Sequence, residues 1–294
     1  MSSRAAIPFL SVGALSHQGK VRGDNQDRLG HLSTVYGEIF VVADGMGGHR
    51  GGAQAAEMTL EGLERHLASR PAETPVAEAL QDAALETNAE IYERANSGDP
   101  EVVKMGATMV LALLEGTRLA IAHAGDSRAY LFREGELRRL TRDHTPIQNL
   151  IDHEILTEEE ARGHPHASIV SRGFGQEEAL ELEFAEIGEL GPGDRILLCS
   201  DGLSGQVRDP EIAAVLENES AAQKAAEALV ELALEAGGED NVTVQVIQLA
   251  TPEEAAEAKA RAAAEARGTA WRWALVVLVV ALAALAALYF GGLL

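Results

Sequence analysis

The sequence predicts an α+β fold, on three observations. Apolar runs of strand length, rich in β-branched residues, recur between Gly, Asp and Pro. Several are joined by links of two or three residues, which forces antiparallel pairing. Helical stretches come in pairs between the strand runs, so helices pack outside sheets. In order, 9–16 reads as a first strand and 38–43 (EIFVVA) as an apolar strand ending at Asp44-Gly45. Helices are predicted over 53–69 and 76–96; in the second, Val76, Leu80, Ala84, Asn88 and Ile91 recur at helical spacing. A meander over 111–133 follows, with Glu134-Gly135 able to turn it into a further strand. Residues 141–175 are irregular; strand 195–199, helices 209–217 and 220–236 and strand 241–249 complete the body.

Of 294 residues, 46% are hydrophobic and 24% charged, ordinary values for a globular chain. Twenty-four Lys and Arg against 46 Asp and Glu give a net charge of −22. No nucleic-acid partner is expected of so acidic a chain, because phosphate contacts need clustered bases. The single cysteine, Cys199, excludes an intramolecular disulfide framework and a Cys-rich zinc module. Residues 253–294 carry four acids and four bases, so the whole acidic excess lies upstream of them.

The end of the sequence has a different character. Residues 273–294 contain no charged side chain, and as a helix they would reach about 33 Å, enough for a hydrocarbon core of about 30 Å. Trp271 and Trp273 at one end and Tyr289 and Phe290 near the other suit the two interfaces. Lys259, Arg261, Arg267 and Arg272 precede the span, so the positive-inside rule puts the body in the cytoplasm and makes this a single-pass tail anchor. Residues 251–270, rich in Ala, Glu and Arg, read as a helical juxtamembrane spacer before a transmembrane helix at 271–292. The apolar stretch near Arg4 is short, is broken by Pro8 and lacks a small-residue cleavage site, so no secretion signal is read there.

The chemical signal lies in the positions of the acids. Asp44, Asp126 and Asp201 follow apolar strands beside Gly45, Gly125 and Gly202, and Asp240 precedes one shortly after Gly237-Gly238. One Asp-Gly pair ordinarily marks a turn. Four acids at strand ends, held rigidly where backbone can approach a ligand, are what hard Mg²⁺ or Mn²⁺ requires. Arg22, in Arg22-Gly-Asp-Asn-Gln-Asp27, adds a guanidinium suited to phosphate.

Six motifs occur in order: VRGDNQD (21–27), VADGMGGH (42–49), AGDSRAY (124–130), LTRDHT (140–145), LCSDGL (198–203) and GGEDNVTV (237–244). With them residues 9–250 resemble the metal-dependent protein phosphatases of type 2C, in their bacterial form. The resemblance implies a four-layer α-β-β-α sandwich, two antiparallel sheets flanked by helices, with a metal cleft at the sheet ends. It implies hydrolysis of phosphoserine and phosphothreonine in proteins, by a water activated on two Mn²⁺ or Mg²⁺ ions with a third as an option. Asp44 would bridge the two metals, the Gly45 carbonyl would bind one of them, and Asp201 and Asp240 the other. Arg22 would grip the substrate phosphate, Asp27 would act through metal-bound waters, and Asp126 would hold the third, weaker metal. Partners implied are phosphorylated proteins, among them a Ser/Thr kinase whose action the enzyme reverses, and the membrane through the C-terminal helix.

Some features depart from that pattern. Many eukaryotic relatives carry a histidine two residues after the bridging aspartate; here Met46 stands there, and His49 is the remaining candidate general acid, although a loop histidine is more often a surface residue. The family's Gly-Thr-Thr before a central strand is Gly106-Ala107-Thr108, a change expected to be tolerated. Segment 145–175 matches a mobile flap over the cleft, and the histidines of this region, His144, His153, His164 and His166, read as surface decoration. A thiol phosphatase is excluded: six residues after Cys199 stands Gly205, where that chemistry needs arginine. The glycines of 45–52 lack the Lys-Ser/Thr of a nucleotide-binding loop. The alternatives are a phosphohydrolase of small molecules on the same scaffold and a membrane-tethered pseudophosphatase that binds without turnover.

Overall fold

The computed structural model describes residues 10–47 and 50–250. The chain runs β1 (Leu10–His17), β2 (Arg28–Thr34), β3 (Gly37–Ala43), the two-residue β4 (Gly45–Met46), α1 (Gly51–Ala68) and α2 (Val76–Ala95). It continues through β5 (Gly106–Ala107), β6 (Met109–Glu115), β7 (Arg118–Ala124), β8 (Arg128–Arg133) and β9 (Glu136–Arg139). The flap region holds α3 (Pro146–Asp152) and α4 (Glu158–Arg162), followed by β10 (Glu183–Glu189), β11 (Arg195–Cys199), α5 (Asp201–Ser204), α6 (Asp209–Asn218), α7 (Ala222–Glu235) and β12 (Val242–Leu249).

Two five-stranded antiparallel sheets result, ordered β1-β12-β11-β8-β9 and β10-β7-β6-β3-β2. Side chains alternate across each strand, and both faces find apolar partners. In β3, Phe40 and Val42 point between the sheets with Val110, Ile121, Leu131, Ile196 and Ile247. Ile39, Val41 and Ala43 point the other way and pack with Leu63, Leu80 and Ile91 of α1 and α2. In β12, Val242, Val244 and Val246 face Leu229 and Val230 of α7. Three apolar layers therefore separate four layers of structure, helix on sheet on sheet on helix. Burial on both faces explains why these strands read as continuous apolar runs rather than alternating ones.

Two of the longer strands escaped the sequence reading. β2 and β10 are the two edges of one sheet, and their partly exposed residues mix Arg, His, Ser, Thr and Glu with the apolar ones. Edge strands are blunted this way to prevent pairing with other chains, and the same polarity hides them from periodicity. The flap also holds more structure than expected: Thr145 caps α3 by accepting the Gln148 N–H, and Thr157 and Glu160 form a capping box on α4.

Among the described residues no helix is long and apolar enough to cross a membrane. The spacer at 251–270 and the span at 271–292 lie outside the described residues.

Candidate active site

Topology brings the acids together. Arg28 pairs with Ala43, Met109 with Ala124, and Cys199 with both Arg128 and Val244. The start of β2 and the end of β3, the β7–β8 turn, and the end of β11 with the start of β12 thus share one end of the sandwich. Those are the places of Asp27, Asp44, Asp126, Asp201 and Asp240. Asp201 is the first residue of the short helix α5 rather than the last of a strand.

The carboxyls crowd one another. Asp44 and Asp201 lie within hydrogen-bonding range, and the charges of Asp27, Asp201 and Asp126 all bear on Asp44. Burial first, then neighbouring carboxylates, push Asp44 and Asp126 well above the usual carboxylate range, Asp126 through Asp201 and Asp143, and burial with Asp240 raises Asp201 as well. Asp27 is pushed up to about 7, mainly by burial, against the pull of hydrogen bonds from Thr243 and Ser200. Ser200 Oγ donates to Asp27 Oδ2 at 2.8 Å, whereas Asp27 Oδ1 and Asp201 Oδ1 are buried without a hydrogen-bond partner. Acceptor-only oxygens left unpaired among like charges fit divalent cations, which neutralise the charge and fill the lone pairs.

Backbone contacts fix these groups. The Asp44 N–H donates to Thr108 Oγ1 (3.3 Å), the Thr108 N–H donates to the Asp44 carbonyl (2.8 Å), and Thr108 Oγ1 lies 2.7 Å from Ser127 Oγ. Gly45 pairs with Ala107 between β4 and β5, and a Cβ on Gly45 would fall 2.1 Å from the Gly52 carbonyl oxygen. No side chain fits there, so the N-terminus of α1 seats directly against this backbone. Ala107, the departure from Gly-Thr-Thr, is wholly buried and bridges to Phe174 at the root of the flap.

Arg22 lies at the mouth. Its guanidinium donates to Asp240 Oδ2 at 2.6 Å, and its side chain remains 56% exposed, leaving donors free for a ligand. A cavity of about 350 Å³ opens there, lined by Arg22, Asp126, Asp201 and Asp240 and walled by Ile147 and Ile151 of the flap. His49 lies outside the described residues. Cys199 is buried, and burial pushes its thiol up to about 12, so it offers no thiolate.

Sequence reasoning missed the supporting groups. Asn241 accepts the Gln26 N–H and donates to the Gln18 and Asp24 carbonyls, shaping the loop that carries Arg22 and Asp27. Arg128 and Asp143 form a buried bidentate pair behind Asp126. The surface role read for the histidines fails at His144, which is only 6% exposed and stacks on buried His123 with ring centroids 4.7 Å apart. Asn241, Arg128, Asp143 and His144 all lie inside the quoted motifs, which was the signal available.

A double-sheet sandwich with carboxylates converging at one end and a guanidinium at the mouth defines a class of cation-binding phosphate sites. The family model for protein phosphatase 2C matches residues 18–242, and the chain belongs to that family. It is 38% identical over 242 residues to the serine/threonine protein phosphatase PstP of Mycobacterium tuberculosis, covering 81% of this chain but only 44% of PstP. It is 32% identical to the serine/threonine phosphatase stp of Listeria monocytogenes, covering 82% of this chain and 96% of that protein. The crystal structure of the PstP catalytic domain in complex with two manganese ions superposes with a TM-score of 0.70 at 35% identity, covering 82% of this chain and 99% of that one.

Proposed function

We propose that this chain is a divalent-metal-dependent serine/threonine protein phosphatase acting on phosphorylated proteins. The observation that carries the reading is the convergence of Asp27, Asp44, Asp126, Asp201 and Asp240 at one sheet end, two of them with buried, unpartnered oxygens. Asp44, Asp201 and Asp240, with the Gly45 carbonyl, would hold two Mn²⁺ or Mg²⁺ ions, and Asp126 a third. Such ions, when bound, neutralise phosphoryl charge and lower the pKa of water. The chain's own part is orientation. Arg22, steered by Asp240, receives the phosphate oxygens in a forked, charge-assisted geometry. Ser200 and Thr243 orient Asp27 beside the cluster, and the apolar flap residues Ile147 and Ile151 line one wall of the cavity. The buried Cys199 thiol, held protonated, supplies no thiolate nucleophile, consistent with attack by water.

The membrane anchor is a reading of the sequence alone: the uncharged stretch 273–294 and the four bases before it support a single span with the phosphatase on the cytoplasmic face. There it would meet a membrane-associated Ser/Thr kinase and its products at raised effective concentration. The test assays hydrolysis of a phosphothreonine peptide by the full chain with Mn²⁺, with EDTA, and as Asp44→Asn, alongside a sugar phosphate. Metal-dependent peptide turnover, lost by about 10³-fold or more in the variant as expected when a catalytic metal ligand is removed, supports the reading. Turnover of the sugar phosphate alone, or none from folded metal-loaded protein, would favour the small-molecule enzyme or the pseudophosphatase. Recovery of the chain in the soluble rather than the membrane fraction of cells would remove the anchor.

A further inference from the structure

His144 grips the turn that presents Asp126. Its backbone N–H donates to the Gly125 carbonyl at 2.9 Å, and its ring Nδ1 accepts the Gly125 N–H at 3.1 Å. Gly125 sits at φ +115°, and a Cβ there would fall 2.5 Å from the Thr108 Cβ, so this turn tolerates only glycine. On the other side of the ring, Nε2 lies 3.2 Å from Glu183 Oε2. Because Nδ1 is occupied as an acceptor of a main-chain N–H, the ring proton resides on Nε2 and is donated to Glu183. The stacked His123 is oriented in turn through its Nε2, 2.9 Å from the Arg142 carbonyl. The His144 carbonyl accepts both the N–H and the hydroxyl of Ser171, so one residue ties the β7–β8 turn to the flap.

One nitrogen or oxygen from each of His123, His144 and Glu183 lies within 4.8 Å of the others, a spacing that suggests a metal site. The hydrogen bonds argue against it. The Nδ1 lone pair of His144 is already used and its Nε2 carries the proton, so a cation would have to break the Gly125 contact or remove that proton. The trio is an orienting relay. Burial, then neighbouring His123, lower the His144 pKa to about 4, which keeps the ring neutral and the relay intact at working pH.

We propose that His144 is a positioning residue for cation binding: through Gly125 it holds Asp126 in the orientation that takes the third, weaker divalent ion, with Glu183 fixing its tautomer. This rests on the reading of Asp126 as a cation ligand of the phosphatase site. Chemically, the two sides of the ring can be separated. His144→Gln keeps a donor towards Glu183 but loses the acceptor for Gly125; His144→Asn places an amide oxygen near the Nδ1 position and loses the Glu183 contact.

Mn²⁺ is titrated into the full chain and free Mn²⁺ followed by electron paramagnetic resonance, with Asp126→Ala as reference. Asp126→Ala is expected to remove the weaker binding step and leave the tighter one. His144→Gln should weaken that same step by about tenfold or more, the usual cost of losing an orienting partner, while the tight step stays within about twofold. His144→Asn should recover the weak step to within about threefold of the native value. A His144→Gln chain with a native weak step would overturn the proposal, as would an Asn variant no better than Gln, which would mean simple loss of packing. A weak step that survives Asp126→Ala would instead sink the ligand reading of Asp126. Should His144→Gln fail to fold, Glu183→Ala, which removes the acceptor from an exposed side chain, must still weaken that step by about threefold or the proposal fails.

Discussion

Arg22 shows how much one side chain at the mouth of the site can be asked to do. It is more than half exposed and is held by one charged contact, to Asp240, so removing it disturbs little packing. A charge-assisted contact to phosphate is worth about 2 kcal/mol. Arg22→Ala is therefore expected to lower kcat/KM for a phosphopeptide by about 30-fold, with unchanged thermal stability. Arg22→Lys should recover only part, since an ammonium cannot reproduce the fork. Native kcat/KM in the alanine variant would show that the phosphate does not bind there. At this same scale the sequence was least informative about histidine. His144 stands in the LTRDHT motif and His153 in none, yet only a fold that brings β7, β10 and the flap together makes His144 a buried relay.

Elements are positioned by polar straps as much as by apolar faces. Asn88 falls on the apolar stripe of α2 by spacing alone, and it is buried as the spacing requires. Its amide donates to the Glu177 and Glu178 carbonyls (2.9 and 3.1 Å) and accepts the Gly175 N–H (2.8 Å), tying the helix to the segment that leaves the flap. Asn88→Leu preserves the helical pattern and the volume but leaves the buried Gly175 N–H and two part-buried carbonyls without their partner. Loss of about 2–4 kcal/mol in urea denaturation is expected; a loss below about 0.5 kcal/mol, the range of ordinary surface substitutions, would show that the strap carries no weight. Gln81 makes a similar strap to Leu180 and Leu182. Apolar periodicity located both helices and the central strands. It passed over β2 and β10, because an edge strand's exposed residues are chosen for solubility rather than for a buried face.

At the scale of the molecule, the gathered carboxyls make stability depend on pH and on cations. Asp27, pushed up to about 7, and Asp44, Asp126 and Asp201, also raised, keep protons in the folded chain that they lose near pH 4 in the unfolded one. The folded state then binds more protons, so stability falls as pH rises through these values. His144, lowered to about 4, acts in the opposite sense, but its effect is complete once unfolded histidine deprotonates near pH 6.5. With a chelator present, the melting temperature is expected to drop between about pH 6.5 and 7.5, as Asp27 loses its proton in the folded chain. Mn²⁺ at about 100 times its dissociation constant should raise stability by about 2.7 kcal/mol at the alkaline end and flatten the slope, cations replacing protons among the carboxylates. A chelated chain that grows more stable over that interval would contradict this account of the site.

The sequence by itself determined the α+β class, the central strands, the helix pairs and the acids near glycine at strand ends, Asp44, Asp126, Asp201 and Asp240. Those are consequences of local periodicity and turn chemistry, which act over a few residues and can be read off them. Only the tertiary structure decided that Asp27 rests against Ser200 and Thr243, that Arg22 meets Asp240, and that His144 holds Gly125. The first two join residues 173 and 218 positions apart in the chain. Such contacts depend on which strands are neighbours and in what register, and strand pairing is set by the summed burial of both sheets, a property no short stretch of sequence contains.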